Sequence, residues 1–220
     1  MIIYNYSSLT GEYIGTNEAK ESPREPGIFL MPANAVGVAP MTVAENEVAV
    51  WDGTKWIKQA DYRDKVYYEK TTKEKHKIKE IGIAPDADWT DVAPTAPDAE
   101  WDGSGWVVPF SVLVERKKAS IAQARYEAEI AGVTINGVSI KTDRESQGLL
   151  TGAALKAMQD NTYVCRWKGI DGFVELTAPQ IIAIADAVRE HVQSCFDHEA
   201  ELLPLIASAE TEAELEAINW

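Results

Sequence analysis

Trp51-Asp52-Gly53-Thr54-Lys55-Trp56 returns 50 positions later as Trp101-Asp102-Gly103-Ser104-Gly105-Trp106. Asp-Gly between strand-forming residues is a strong hairpin signal, because glycine accepts the positive φ that tight turns require. The chain therefore carries an internal repeat, and four of its seven tryptophans sit in the two turns. A four-residue loop would place Trp51 across from Trp56, whereas a two-residue turn at Asp52-Gly53 would shift that pairing.

Working outward, Ile2-Ile3-Tyr4-Asn5-Tyr6 and Tyr13-Ile14 flank Thr10-Gly11 and read as a first hairpin. Pro23, Pro26, Gly27, Pro32, Gly37 and Pro40 then exclude a helix. Tyr6 to Thr10 is echoed by Tyr68 to Thr72, and Val38-Ala39-Pro40 by Val92-Ala93-Pro94, each copy closing on its Trp-Asp-Gly turn. The spacing between copies falls from 62 through 54 to 50, so the second copy has shorter connections. Two small β modules are expected, residues 1–60 and 61–109, each too short to bury much core alone.

From Ser111 the pattern changes. A polar, alanine-rich helix over 111–131 is expected, able to connect domains or to coil with copies of itself. Asn136-Gly137 predicts a type I′ hairpin turn. Thr142 with Glu145 has capping-box spacing before a helix to about Met158. Tyr163 to Thr177 folds back around Gly169-Ile170-Asp171-Gly172 as another hairpin. Thr177 caps the longest helix, which Pro204 is expected to end or kink, and Thr211 with Glu214 caps a last short helix. The fold class is α+β: two hairpin-rich modules, then a mixed, helix-rich C-terminal domain over 110–220.

Composition narrows the function. Thirty-five acidic against 21 basic residues give a net charge of −14, which argues against nucleic acid as partner. The N-terminus lacks the basic and apolar regions of a signal peptide, and no apolar run suits a bilayer, so cytoplasmic residence without membrane insertion is expected. Cys165 and Cys195 are too few for a disulfide framework and are expected as reduced core residues. Seven basic residues lie within 63–79 (Arg63, Lys65, Lys70, Lys73, Lys75, Lys77, Lys79), as a solvated hairpin face or a docking patch for an acidic partner.

Chemistry is sparse. His191, Cys195 and His198 share a helix face, but seven residues separate the outer pair by roughly 10 Å along the axis, too far for one three-ligand site. Asp86, Asp88, Asp91, Asp98, Glu100 and Asp102 lack the calcium-loop pattern and read as loop residues. No phosphate-binding loop, nucleophile elbow or zinc-protease motif occurs. Neither catalytic residue, cofactor nor metal is expected, and the chain does not read as an enzyme. The candidate site residues are Trp51, Trp56, Trp101 and Trp106. Such pairs staple hairpins, anchor protein interfaces or stack on sugar rings.

Thr10-Gly11-Glu12-Tyr13-Ile14-Gly15-Thr16, Pro32-Ala33-Asn34-Ala35, Val38-Ala39-Pro40 and Val48-Ala49-Val50-Trp51-Asp52-Gly53-x-x-Trp56, in that order, resemble the tail fibre assembly proteins of tailed bacteriophages. Tyr62-Arg63-Asp64-Lys65-Val66-Tyr67-Tyr68 extends the likeness, with Asp64 where that family usually has glycine. Gly132 to Val138, Thr142 to Gln147 and Asp171 to Thr177 are similar to an uncharacterised domain often attached to phage tail proteins. The resemblance implies a non-enzymatic chaperone that binds the tail fibre protein and promotes its folding and trimerisation. The implied location is the host cytoplasm during assembly, or retention in the virion tail. The alternative is a virion component, a cap or adaptor on the fibre or baseplate that contacts host glycans. The polar helix leaves self-association as a trimer open.

Overall fold

The computed structural model describes residues 1–169 and 172–220. The chain is α+β and divides into two compact units, Met1–Val107 and Val108–Trp220. In the first, β1 (Ile2–Tyr6) pairs antiparallel with β2 (Tyr13–Glu18), and β3 (Ala35–Val36) adds to the other edge of β1. Gly11 lies in the β1–β2 turn at φ +74°, where a Cβ would stand 2.7 Å from the Trp51 carbonyl oxygen. Only glycine admits both that backbone and that approach. β4 (Glu47–Trp51) and β5 (Trp56–Ala60) form the first Trp-Asp-Gly hairpin.

The same order recurs. β6 (Tyr67–Glu69) pairs with β7 (Lys75–His76), β8 (Trp89–Thr90) adds to the other edge of β6, and β9 (Glu100–Trp101) pairs with β10 (Trp106–Val107). The hairpins match at the 62-residue spacing: Tyr6 faces Tyr13 and Tyr68 faces Lys75. The third strands do not, because Tyr4 pairs with Val36 but Tyr68 with Thr90. β8 has slipped by two residues relative to its hairpin. An even slip leaves every side chain on its original face, so the repeat tolerates it.

In the second unit, α1 (Phe110–Ile130) is followed by β11 (Val133–Ile135) and β12 (Val138–Ile140), joined by Asn136 and Gly137, both at positive φ as a type I′ turn needs. α2 (Arg144–Gln159) follows, then the hairpin β13 (Val164–Gly169) and β14 (Gly172–Thr177), α3 (Ala178–Ser208) and α4 (Glu212–Ala217). The expected Gly169–Gly172 turn falls partly on Ile170 and Asp171, outside the described residues. Ile140, Leu150, Ala154, Leu176, Ile181, Ile184 and Val188 form one core, and Ile121, Leu202, Ile206 and Leu215 a second that holds α1 and α4 to α3. The polar helix α1 thus packs within its own unit.

Of three expectations at helix ends, two are corrected by the structure and one is met. The cap of α2 is Asp143, whose carboxylate accepts from the Ser146 N–H at 2.9 Å, not Thr142. Thr142 is fully buried, and its hydroxyl donates to the Glu129 carbonyl while accepting from the Gly132 N–H at 2.9 Å. It serves the unpaired end of α1 instead, where a buried carbonyl left alone would cost about 1–3 kcal/mol. Pro204 does not end α3, which runs on to Ser208. An interior proline costs a helix about 3 kcal/mol, but stopping there would expose Ile206, fully buried against Ile121 and Leu215. The capping box at Thr211 and Glu214 forms as expected, with Glu214 N–H donating to the Thr211 hydroxyl at 3.3 Å.

Candidate functional site

The two Trp-Asp-Gly hairpins are built alike. Trp51 faces Trp56 and Trp101 faces Trp106, each across a four-residue loop. The loop is closed by the aspartate: Asp52 Oδ1 accepts from the Thr54 N–H, the Thr54 hydroxyl and the Lys55 N–H at 2.7–2.9 Å. Asp102 Oδ1 accepts the equivalent three from Ser104 and Gly105 at 2.7–2.9 Å. Thr54 and Ser104 are thus interchangeable, each supplying a hydroxyl.

These bonds favour the ionised carboxylate. Asp52 is held below the usual range first by the Lys55 N–H and then by Thr54, and Asp102 first by the Ser104 N–H and then by that of Gly105. A lowered carboxyl stabilises the folded state above its unfolded pKa, near 3.9, and loses that contribution as pH falls through the folded value. The Asp52→Asn, Asp102→Asn double variant keeps the acceptors but removes the charge. Its unfolding stability is expected to fall less steeply than that of the wild type below about pH 4, read by urea denaturation at stepped pH with tryptophan fluorescence. Equal slopes would remove these carboxylates from the acid response.

Within each pair the roles divide. Trp56 and Trp106 are buried, while Trp51 and Trp101 remain partly exposed. The buried indole N–H donates to the Val38 carbonyl at 2.7 Å in the first copy and to the Val92 carbonyl at 2.8 Å in the second. This accounts for the repeated Val-Ala-Pro: its first carbonyl is the acceptor for the second tryptophan of each hairpin. The paired rings meet edge to face, with centroids at 5.4 Å and 5.5 Å. Trp51 also stacks on Tyr6 at 6.2 Å, whereas Trp101 carries Lys70 Nζ 5.6 Å from its ring centroid. The aromatic roles follow burial, which a sequence pattern of two identical tryptophans does not distinguish.

The basic segment is largely engaged within its own unit. Arg63 makes a bidentate pair with Asp61 at 2.7 Å and reaches Glu12 at 2.6 Å, tying the β1–β2 turn to the end of β5. Asp61 is held low chiefly by that guanidinium, and Arg63 is in turn held more firmly protonated, first by Asp61 and then by Glu12. Lys65 pairs with Glu45 at 3.1 Å, and Lys73 Nζ donates to the Pro97 carbonyl at 2.7 Å. Arg63 belongs to the segment expected as a solvated hairpin face or a docking patch; its partners lie 51 and 2 residues away, and only folding brings the former near.

His191, Cys195 and His198 do not converge. His191 Nε2 lies 3.0 Å from the Ala128 carbonyl, Cys195 is buried with its thiol pushed up by desolvation, and His198 packs edge to face on Trp220. The Cys165 thiol is likewise raised by burial.

Comparison with known proteins adds two findings. Residues 113–219 match the family model described as Domain of unknown function (DUF4376). The chain is 26% identical over 149 residues to the prophage tail fiber assembly protein homolog TfaE of Escherichia coli (strain K12), which spans 65% of this chain and 72% of that protein. No solved structure matches the chain. By sequence, then, it is a distant relative of a prophage tail fibre assembly protein.

Proposed function

We propose that this chain acts at the phage tail, binding the tail fibre protein and promoting its folding and trimerisation without catalysing a reaction. The similarity to a tail fibre assembly protein over 65% of the chain carries this reading. The N-terminal unit supports it with an exposed apolar run, Ile28 at 52%, Phe29 at 37%, Leu30 at 52% and Met31 at 45% exposure, followed by exposed Val38, Met41 and Val43. Exposed apolar side chains of this kind are suited to covering a client chain. Partly exposed Trp51 and Trp101 offer the rigid aromatic contacts that anchor interfaces.

Other chemistries have less behind them. A cleft of about 690 Å³ beside β1 and β2 has Glu12 as the one acidic residue in its lining, and its carboxylate is already committed to Arg63. Glycoside hydrolysis commonly needs two carboxyl groups facing one bond. Among the described residues no helix is long and apolar enough to cross a membrane, and the −14 charge suits a protein partner better than nucleic acid. The proposed place of action is the host cytoplasm during assembly.

Co-expression of the fibre gene from the same phage with and without this chain is the test. Soluble trimeric fibre is expected only with it, and a Phe29→Glu, Leu30→Glu variant is expected to lower the yield while keeping its own fold. A fibre that trimerises equally well alone would remove the chaperone role. Recovery of the chain in purified particles at fixed stoichiometry would instead make it a virion component.

A further inference from the structure

The β6–β7 hairpin repeats the β1–β2 hairpin 62 residues on, yet the two treat an equivalent carboxylate differently. In the first copy Glu12 is neutralised by Arg63 at 2.6 Å. In the second, Glu74 holds that place, and the position equivalent to Arg63, 50 residues on by the tryptophan-hairpin spacing, is Leu113. Among the described residues no lysine or arginine pairs with Glu69 or Glu74, although the hairpin is rich in lysine. Lys70 and Lys73 turn instead to the Ala87 and Pro97 carbonyls, each at 2.7 Å, and Lys75 lies over the Tyr68 ring.

Alternation along the strands explains the arrangement. Tyr68 faces Lys75, so Glu69 and Glu74 flank the turn as partners, with the Glu69 N–H donating to the Glu74 carbonyl at 3.0 Å. His76 lies two residues beyond Glu74, on the same face. A ring nitrogen of His76 and one carboxylate oxygen from each glutamate lie within 4.8 Å of one another. The imidazole is fixed by stacking on Trp89 at 4.2 Å and 6°, and its Nε2 is shut off from solvent with no hydrogen-bond partner. Glu69 is oriented by the Thr72 hydroxyl, which donates to its Oε2 at 2.5 Å.

We propose that Glu69, Glu74 and His76 bind a divalent first-row transition ion, with zinc as the probe. The ion supplies the positive charge that Arg63 gives the first copy. One imidazole and two carboxylates form a three-donor set that leaves a fourth tetrahedral position open. Bonds of about 2.0–2.2 Å place tetrahedral donors roughly 3.4 Å apart, so donors now within 4.8 Å of one another close by at most about 1.4 Å, and Glu74 is exposed and free to rotate. Calcium, which takes six to eight oxygen ligands, has no use for the imidazole.

Isothermal titration of Zn²⁺ into the full chain tests this. One ion per chain is expected. Glu74→Gln, at an exposed position that spares the fold, and His76→Gln should each weaken binding by roughly 100-fold, and Thr72→Val, which frees Glu69, by roughly tenfold. Glu12→Gln, the equivalent change in the first copy, should leave it unaltered. Absence of saturable zinc binding would overturn the assignment. So would undiminished binding in Glu74→Gln or His76→Gln, which would place the ion elsewhere, such as near His191.

Discussion

Trp56→Ala should cost the N-terminal unit about 3–5 kcal/mol, the usual range for emptying a buried tryptophan site. Three losses combine. The indole is 5% exposed, it packs edge to face on Tyr6, Tyr13 and Trp51, and its N–H serves the Val38 carbonyl. Trp56→Phe separates them, because the ring largely survives while the Val38 carbonyl loses its donor; about 1–2 kcal/mol is expected from that alone. Trp51→Ala should be milder, since its ring is partly exposed and loses only the stack on Tyr6 and the edge contact with Trp56. Urea unfolding of the three variants measures the order. If Trp51→Ala leaves folding intact but abolishes fibre capture while Trp56→Ala unfolds the unit, one tryptophan of the pair is a staple and the other a contact. Equal, small losses at both positions would contradict the division by burial.

Arg125→Ala should destabilise the C-terminal unit by about 3–5 kcal/mol, the cost of leaving a buried charge without its partner. Glu129 is 4% exposed, and Arg125 holds it as an ion pair four residues back on α1. The same guanidinium reaches Glu199 on α3 at 3.0 Å and lies over the Phe196 ring at 4.5 Å. Removing it strands one buried and one largely buried carboxylate together. The double variant Arg125→Met, Glu129→Met should recover much of the loss, because an apolar pair needs no desolvation of charge. Thermal denaturation of the single and double variants distinguishes this from a simple loss of packing, in which the double variant would be no better than the single.

Features legible before folding share one property: a few adjacent residues contain the whole signal. The Asp-Gly and Asn-Gly turns announce positive φ, and Thr211 with Glu214 announces a helix start, because donor and acceptor lie within three positions. The repeat was legible for the same reason, since each hairpin carries its own aspartate and hydroxyl. The α+β class followed from the change of pattern near Ser111.

Folding decided whatever needed a partner far along the chain. β3 and β8 are two residues long, too short for periodicity to show, and exist because β1 and β6 offer an open edge. Thr142 and Asp143 are both competent caps, and burial at the end of α1 chose between them. Pro204 is a residue that ends or kinks a helix, and burial of Ile206 in its core carries α3 past it. The two tryptophans of each hairpin are identical as letters and differ only in which one meets a valine carbonyl 14 or 18 residues away. Local chemistry wrote the turns and caps, and long-range burial assigned the roles, because desolvation depends on neighbours that only the folded chain brings together.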